Sequence, residues 1–201
     1  GLDLKQAVRT RQFWLISIAK FADWYCLFTI IIHVVPHGID QGLEPATAAI
    51  VLSVIGGCSI LGRLTLGAGF DYFGAKRSLL IAFGLLFLSI VFLQLFSDPK
   101  WLFVFAFVYG IAHGGLFAVA SPTVAEYFGT RAHGVIFGIV MFLGSLGATL
   151  GPWLTGWLYD LIGSYDMAFL IVTGLSILGF LMALALKPIT LLGDRSSQSV
   201  N

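Results

Sequence analysis

The sequence contains few charged residues. Only 10% of its 201 residues are Asp, Glu, Lys or Arg, whereas 58% are hydrophobic, and the mean hydropathy is +0.96. A chain of this size with so little polar surface cannot cover a soluble globule, so most of its surface is expected to face lipid. The formal net charge of +1 also excludes a basic surface large enough to replace the counterions of a nucleic acid.

The sequence also lacks the residue patterns of most catalytic and metal sites. The two cysteines, Cys26 and Cys58, lie within apolar runs, so neither a disulfide framework nor a zinc site with paired Cys and His ligands is supported. A phosphate-binding glycine loop and a nucleophile elbow are both missing. We therefore expect a protein that is not an enzyme and has no cofactor. The first residue is Gly and no signal-peptide pattern follows it, which predicts a fragment or a processed piece.

Long hydrophobic runs are the main feature that is present. A bilayer core of about 30 Å requires about 20 apolar residues in helical form, and six runs meet this requirement. They are residues 13–35, 46–70, 78–97, 101–122, 134–159 and 167–186. None alternates with the period of two that a lipid-facing strand requires. The sequence thus predicts an all-α membrane protein with six transmembrane helices, a cytoplasmic linker at 1–12 and a polar, mobile cytoplasmic tail at 188–201.

The loops between these runs differ in basic charge, which predicts the orientation. With six spans, one side of the membrane receives most of the loop and terminal Lys and Arg residues, and the other side receives only Lys100. The first group consists of Lys5, Arg9, Arg11, Lys76, Arg77, Arg131, Lys187 and Arg195. Because basic loops stay in the cytoplasm, we expect both termini to be cytoplasmic, in a plasma (inner) membrane.

One motif occurs twice, 89 positions apart. The first copy is Leu61-Gly62 with Gly67, Asp71 and Gly74, and the second is Leu150-Gly151 with Gly156, Asp160 and Gly163. The same shift carries residues 13–97 onto residues 102–186, so we predict two three-helix repeats, at 13–97 and 101–187. An odd number of spans inverts the second repeat. Only the first copy continues into the basic pair Lys76-Arg77, as the charge rule requires of inverted repeats.

Two segments resemble a known family. Residues 67–77 are similar to the signature loop of the major facilitator superfamily, although Tyr72 stands where an arginine is usual. Residues 36–43, with the later Gly62-Arg63, resemble the seventh-to-eighth helix region of its monocarboxylate and oxalate/formate transporters. The resemblance covers about residues 13–187. It implies half of a twelve-helix major facilitator fold: the C-terminal six-helix bundle, whose partner is the N-terminal half of the same transporter.

Arg63 lies within the second predicted span, where a charge costs at least about 2.5–3.5 kcal/mol. One interpretation is a side chain that extends to the cytoplasmic interface. The other is that its planar guanidinium binds a substrate carboxylate with two hydrogen bonds. The resemblance favours the second interpretation, because Gly62-Arg63 with Gly67 matches transporters in which this arginine binds the carboxylate.

Two acids are candidates for proton coupling. Asp23 is three residues from Lys20 on the first predicted span, so the two charges share a helix face and could simply neutralise each other. Alone near mid-membrane, Asp23 could instead take up and release a proton. Asp40 follows the same span, where a solvated loop acid is the simpler interpretation. The resemblance favours Asp40, since an acid at this place belongs to the monocarboxylate-transporter pattern.

Further residues are assigned by helical position or by the resemblance. On the fifth span, Gly144, Gly147 and Gly151 share one face, which predicts close helix packing. The opposite face carries Phe142 and Ser145, which could meet lipid or line a substrate cavity. The resemblance implies that Asp71, with the basic pair Lys76-Arg77, closes a cytoplasmic gate between the two halves.

The sequence therefore predicts a secondary transporter that moves a small monocarboxylate such as lactate or pyruvate, with a proton, by alternating access. Two alternatives remain. One is an oxalate/formate type antiporter of organic anions, against which the fifth span counts because it carries no Lys or Arg. The other is a membrane sensor that does not transport. The expected partners are the anion, the proton and the lipid bilayer, without nucleic acid.

Overall fold

In the computed structural model, residues 1–96 and 98–189 are described, and they form six α-helices. The helices are α1 (Leu4–Ala7), α2 (Arg11–Asp40), α3 (Pro45–Leu95), α4 (Trp101–Phe128), α5 (His133–Ile162) and α6 (Asp166–Leu184). Five of them, α2 to α6, are long and apolar enough to cross a membrane. The prediction of an all-helical chain is thus confirmed. Ser97 and most of the predicted tail, residues 190–201, lie outside the described residues.

The longest helix, α3, contains a break at Gly74. Its 51 residues would extend roughly 77 Å at 1.5 Å per residue, more than twice a bilayer core of about 30 Å. Gly74 has φ 72° and ψ 174°, which is not helical, so two helical segments meet there. The sequence predicted a turn of several residues between the second and third spans, whereas the backbone changes direction at this single glycine.

Helix α2 continues past the point at which the sequence predicted its end. The first predicted span ends at residue 35, but the helix includes Pro36 and ends at Asp40, so this boundary prediction was wrong. A proline removes one helical hydrogen bond, while the remaining backbone groups still need partners in an apolar environment. The chain turns at Gly42, where φ is 94°, and the Leu43 N–H donates to the carbonyl of Gly38 over 3.0 Å.

The most extensive helix contacts are between α3 and α4 and between α2 and α5, and α6 packs against α2 and α3. Glycines allow these close approaches because they have no side chain. Gly114 of α4 lies directly against the backbone of Ser59, and Gly147 of α5 lies against the carbonyl of Phe21. Large buried side chains fill the remaining core: Phe83, Phe105, Tyr109, Ile136 and Phe169.

Candidate functional site

Arg63 lies on the exposed side of α3. The preceding residue, Gly62, is buried against the backbone of Ile111 in α4, whereas Arg63 itself is exposed. The guanidinium carbon is 4.9 Å from the centre of the exposed Phe117 ring, a cation–π arrangement. Within residues 1–96 and 98–189, neither of the two ion pairs involves Arg63. Its hydrogen-bonding edge is therefore available to an anion.

The two faces of α5 have different surroundings. Gly144, Gly147 and Gly151 are buried against α2, which confirms the predicted packing face. On the other face Phe142 is 63% exposed, and the hydroxyl of Ser145 donates to the carbonyl of Phe142 over 2.6 Å. A serine hydroxyl in this arrangement keeps acceptor capacity.

The structure does not place Phe142 and Ser145 next to Arg63. Helices α3 and α5 have little mutual contact, and each packs mainly against a different helix, α4 and α2 respectively.

Lys20 and Asp23 form an ion pair within the bundle. The Lys20 Nζ atom is 2.8 Å from Asp23 Oδ2, and each side chain is only 6% exposed. The ammonium group also lies 5.4 Å from the centre of the Trp24 ring. Both charged side chains line a cavity of about 30 Å³, together with Thr123 of α4. Apart from these three side chains, the lining of the cavity is apolar.

Asp40 is the last residue of α2 and is exposed, but its carboxylate accepts a hydrogen bond from another helix. The hydroxyl of Tyr159, in the last turns of α5, donates to Asp40 Oδ2 over 2.7 Å. The Tyr159 ring stacks on Tyr165, with 4.4 Å between ring centres. Burial, with the negative charges of Asp40 and Asp160 and the phenol of Tyr159, raises the pKa of Tyr165 to about 12. Tyr159 could not be identified from the sequence, because its only signal there is its repeat position, which matches Phe70.

The residues assigned to the cytoplasmic gate do not form one cluster. Asp71 and Arg77 are exposed, while Lys76 Nζ donates to the carbonyl of Leu186 over 2.9 Å, beyond the end of α6. The carboxylate that lies at the break in α3 belongs to Glu126 of α4. It accepts a hydrogen bond of 2.8 Å from the Ala75 N–H and so caps the second segment of α3.

Metal ligands do not group together in the part of the chain that the structure describes. Residues 1–96 and 98–189 contain no cluster of three or more His, Cys, Asp or Glu side chains that could hold a metal ion.

Known transporters match both the sequence and the fold. Monocarboxylate transporter 12 of Xenopus laevis is 30% identical over 144 residues, which cover 70% of this chain and 31% of that protein. A solved structure from a study of substrate recognition in proton-dependent oligopeptide transporters superposes with a TM-score of 0.76 at 18% identity, covering 94% of this chain and 45% of that one. A solved structure of the transporter FucP in the outward conformation superposes with a TM-score of 0.74 at 16% identity, covering 92% of this chain and 46% of that one.

The chain spans about a third of the length of the curated relative and under half of each solved structure. Its apolar helices suit an integral membrane protein. The family model described as Major Facilitator Superfamily matches residues 13–198, nearly the whole chain. This protein chain belongs to the major facilitator superfamily, a family of transporters and not of enzymes.

Proposed function

We propose that this chain is the C-terminal half of a secondary transporter that moves small monocarboxylates, such as lactate or pyruvate, together with a proton. Its sequence similarity to monocarboxylate transporters supports the substrate class. The partner would be the N-terminal six-helix half of the same protein, and the two halves would expose a central site alternately to each side of the membrane.

The proposed architecture is six transmembrane segments in two inverted repeats. The break at Gly74 supports six segments, because it divides α3 into two parts of spanning length. The helix contacts support the repeat. Phe21 of α2 meets Gly147 of α5, and Cys58 of α3 meets Gly110 of α4. A shift of 89 positions carries the first contact onto the second, with the order of the helices reversed.

In this arrangement both termini are cytoplasmic and the membrane is the plasma (inner) membrane. Three basic residues in the first eleven, together with the pair at 76–77, would lie on the cytoplasmic side. Asp40, Asp160 and Asp166 would lie on the outer side. Domain limits at 1–12, 13–187 and 188–201 follow from the same assignment.

The observation that carries the proposal is the position of Arg63. A permanent positive charge on an apolar helix needs a partner, and no described residue forms an ion pair with it. Stacking on Phe117 leaves the guanidinium edge free to form two parallel hydrogen bonds to a carboxylate. Phe142 and Ser145, on the exposed face of α5, would contact the remainder of a small anion.

Asp40 is the better candidate for the coupled proton. It is exposed at the end of α2, where a proton from the outer solution can reach it, whereas Asp23 is buried and already paired with Lys20. Protonation of Asp40 would precede capture of the anion by Arg63. Asp23 remains the second candidate. Asp71, with Lys76 and Arg77, would close the cytoplasmic side against residues of the N-terminal half.

Uptake of radiolabelled lactate by the complete protein in proteoliposomes tests the proposal. An imposed inward proton gradient should drive accumulation, and Arg63→Ala should lower the initial rate about 10- to 100-fold, since a charged hydrogen-bonded contact is lost. Arg63→Lys should recover only part of the lost uptake rate, because a lysine cannot form two parallel hydrogen bonds to one carboxylate. Arg131→Ala, which removes an exposed loop arginine, is the matched control.

Three results would contradict the proposal in different ways. Unchanged uptake by Arg63→Ala would exclude the carboxylate-binding role. Accumulation that requires oxalate or formate inside the vesicle, and not a proton gradient, would indicate an antiporter. The absence of uptake of any monocarboxylate by the intact protein would favour a sensor.

A further inference from the structure

His113 of α4 lies beside the phenyl ring on which Arg63 stacks. The guanidinium carbon of Arg63 is 4.9 Å from the centre of the Phe117 ring, and the centre of the His113 ring is 6.5 Å from the same point. His113 and Phe117 are four residues apart, so they share one face of α4. The guanidinium and the imidazole therefore flank one aromatic ring.

Two glycines hold α3 and α4 together next to these side chains. Gly62, which precedes Arg63, lies against the backbone of α4, and Gly114, which follows His113, lies against the backbone of α3. Because backbone meets backbone at both places, the helices cannot slide past each other without a clash. The backbones that carry Arg63 and His113 are thus held at a fixed spacing.

The imidazole of His113 has unused hydrogen-bonding capacity. The residue is 9% exposed, and its Nδ1 atom is enclosed and has no hydrogen-bond partner among the described residues. Neither of the described ion pairs includes His113, which favours a neutral ring with a single N–H. A buried N–H without an acceptor is costly, so the proton is best placed on the other nitrogen, Nε2, from which it can be donated to a ligand.

We infer that His113 is a specificity-determining residue of the proposed anion site: it donates a hydrogen bond to an oxygen atom on the carbon next to the substrate carboxylate. The inference rests on the proposed binding of that carboxylate by Arg63. With the carboxylate on the guanidinium edge, the rest of a small anion can extend over Phe117 towards His113. A 2-hydroxy or 2-oxo monocarboxylate has an acceptor at this place, whereas propionate has none.

Uptake of radiolabelled lactate and of propionate by the complete protein in proteoliposomes tests the inference. The two anions have the same carbon skeleton and differ in the 2-hydroxyl group, so propionate uptake also reports whether a variant is folded. In His113→Phe, which keeps an aromatic ring, the KM for lactate should rise about 3- to 10-fold, the effect expected for one lost hydrogen bond. The KM for propionate should change by less than about twofold.

Two amide variants separate the lost hydrogen bond from altered packing. His113→Gln places an amide N–H near the position of Nε2 and should recover part of the preference for lactate, whereas the shorter side chain of His113→Asn should not. Tyr109→Phe is the matched control. The Tyr109 ring stacks on His113, but its hydroxyl already donates to the carbonyl of Cys26 over 3.3 Å. Its loss should leave the ratio of the two KM values unchanged.

Failure of this inference differs from failure of the proposed function. Equal changes of both KM values in His113→Phe, or a parent protein that takes up propionate as readily as lactate, would overturn the role of His113 alone. Arg63→Ala should reduce uptake of both anions, since both have the carboxylate. If it reduces neither, carboxylate binding by Arg63 fails and the inference falls with it. The same holds if the parent protein takes up neither anion.

Discussion

The ammonium group of Lys20 lies 2.8 Å from the carboxylate of Asp23, and the two side chains lie inside the helix bundle, each 6% exposed. Gly144 leaves room for the stem of Lys20, because a Cβ at that glycine would be 3.0 Å from Lys20 Cγ. Each charge is removed from water and compensated mainly by the other. The pair therefore makes the two residues depend on each other for stability.

Removal of one member of this pair should destabilise the protein more than removal of both. We expect Asp23→Asn to lower the free energy of unfolding by about 3–5 kcal/mol, because it leaves a buried ammonium without a partner. The double variant Lys20→Met/Asp23→Leu should recover most of this loss. Thermal and denaturant unfolding in detergent, followed by circular dichroism, measures both effects.

The exposed ion pair between Lys100 and Asp98 is the control, with the same 2.8 Å distance in solvent. Asp98→Asn should leave the unfolding midpoint unchanged, since solvent already screens this pair. Equal destabilisation by Asp98→Asn and Asp23→Asn would contradict the role assigned to burial.

A methyl group at Gly114 should weaken the contact between α3 and α4. The added Cβ would collide with the backbone of Ser59, which cannot move without shifting the helix. We expect Gly114→Ala to cost about 1–3 kcal/mol of unfolding free energy, the usual range for overpacking. Gly57→Ala is the control, because a Cβ there meets nothing within 4 Å. Similar unfolding curves for the two variants would show that the close approach is not important.

Substitution of Gly74 should strain the break in α3. Its φ of 72° and ψ of 174° lie in a region that is open essentially only to glycine, where a side chain costs about 1–3 kcal/mol. We expect Gly74→Ala to lower the unfolding free energy by this amount. Gly67→Ala on the same helix is the control, because its added Cβ would be 3.6 Å from the Ala118 Cβ, an ordinary contact. Proteolysis near residue 74 can show whether the break itself is altered.

The phenol of Tyr165 should ionise at unusually high pH. Burial and the neighbouring carboxylates raise its pKa from 10.0 to about 12, so the neutral form is favoured in the folded protein. The resulting stabilisation is complete below pH 10 and is lost as the pH rises towards 12. Ultraviolet difference titration of the parent protein and of Tyr165→Phe should show one missing late-titrating phenol. A difference spectrum that titrates near pH 10 would contradict this assignment.

The positions of the helices could be predicted from hydrophobic length, because a bilayer requires about 20 apolar residues in each span. The glycine face of α5 could be predicted as well, since residues 144, 147 and 151 share a helix face. The predicted end of α2 was wrong. Pro36 removes one helical hydrogen bond, but a proline does not by itself end a helix. Glu126 was missed because its contact with Ala75 joins residues 51 positions apart.

The sequence by itself determined that the chain is helical and apolar, and it identified Arg63 and Asp23 as charges within predicted spans and Asp40 as an acid that follows the first span. These conclusions depend on composition and local spacing, which do not require a fold. Only the tertiary structure decided the partner of each charge. Lys20 lies beside Asp23 in the interior, Tyr159 meets Asp40 across two helices, and Arg63 stacks on Phe117. The last two contacts join separate helices, so helix packing and not sequence spacing determines them.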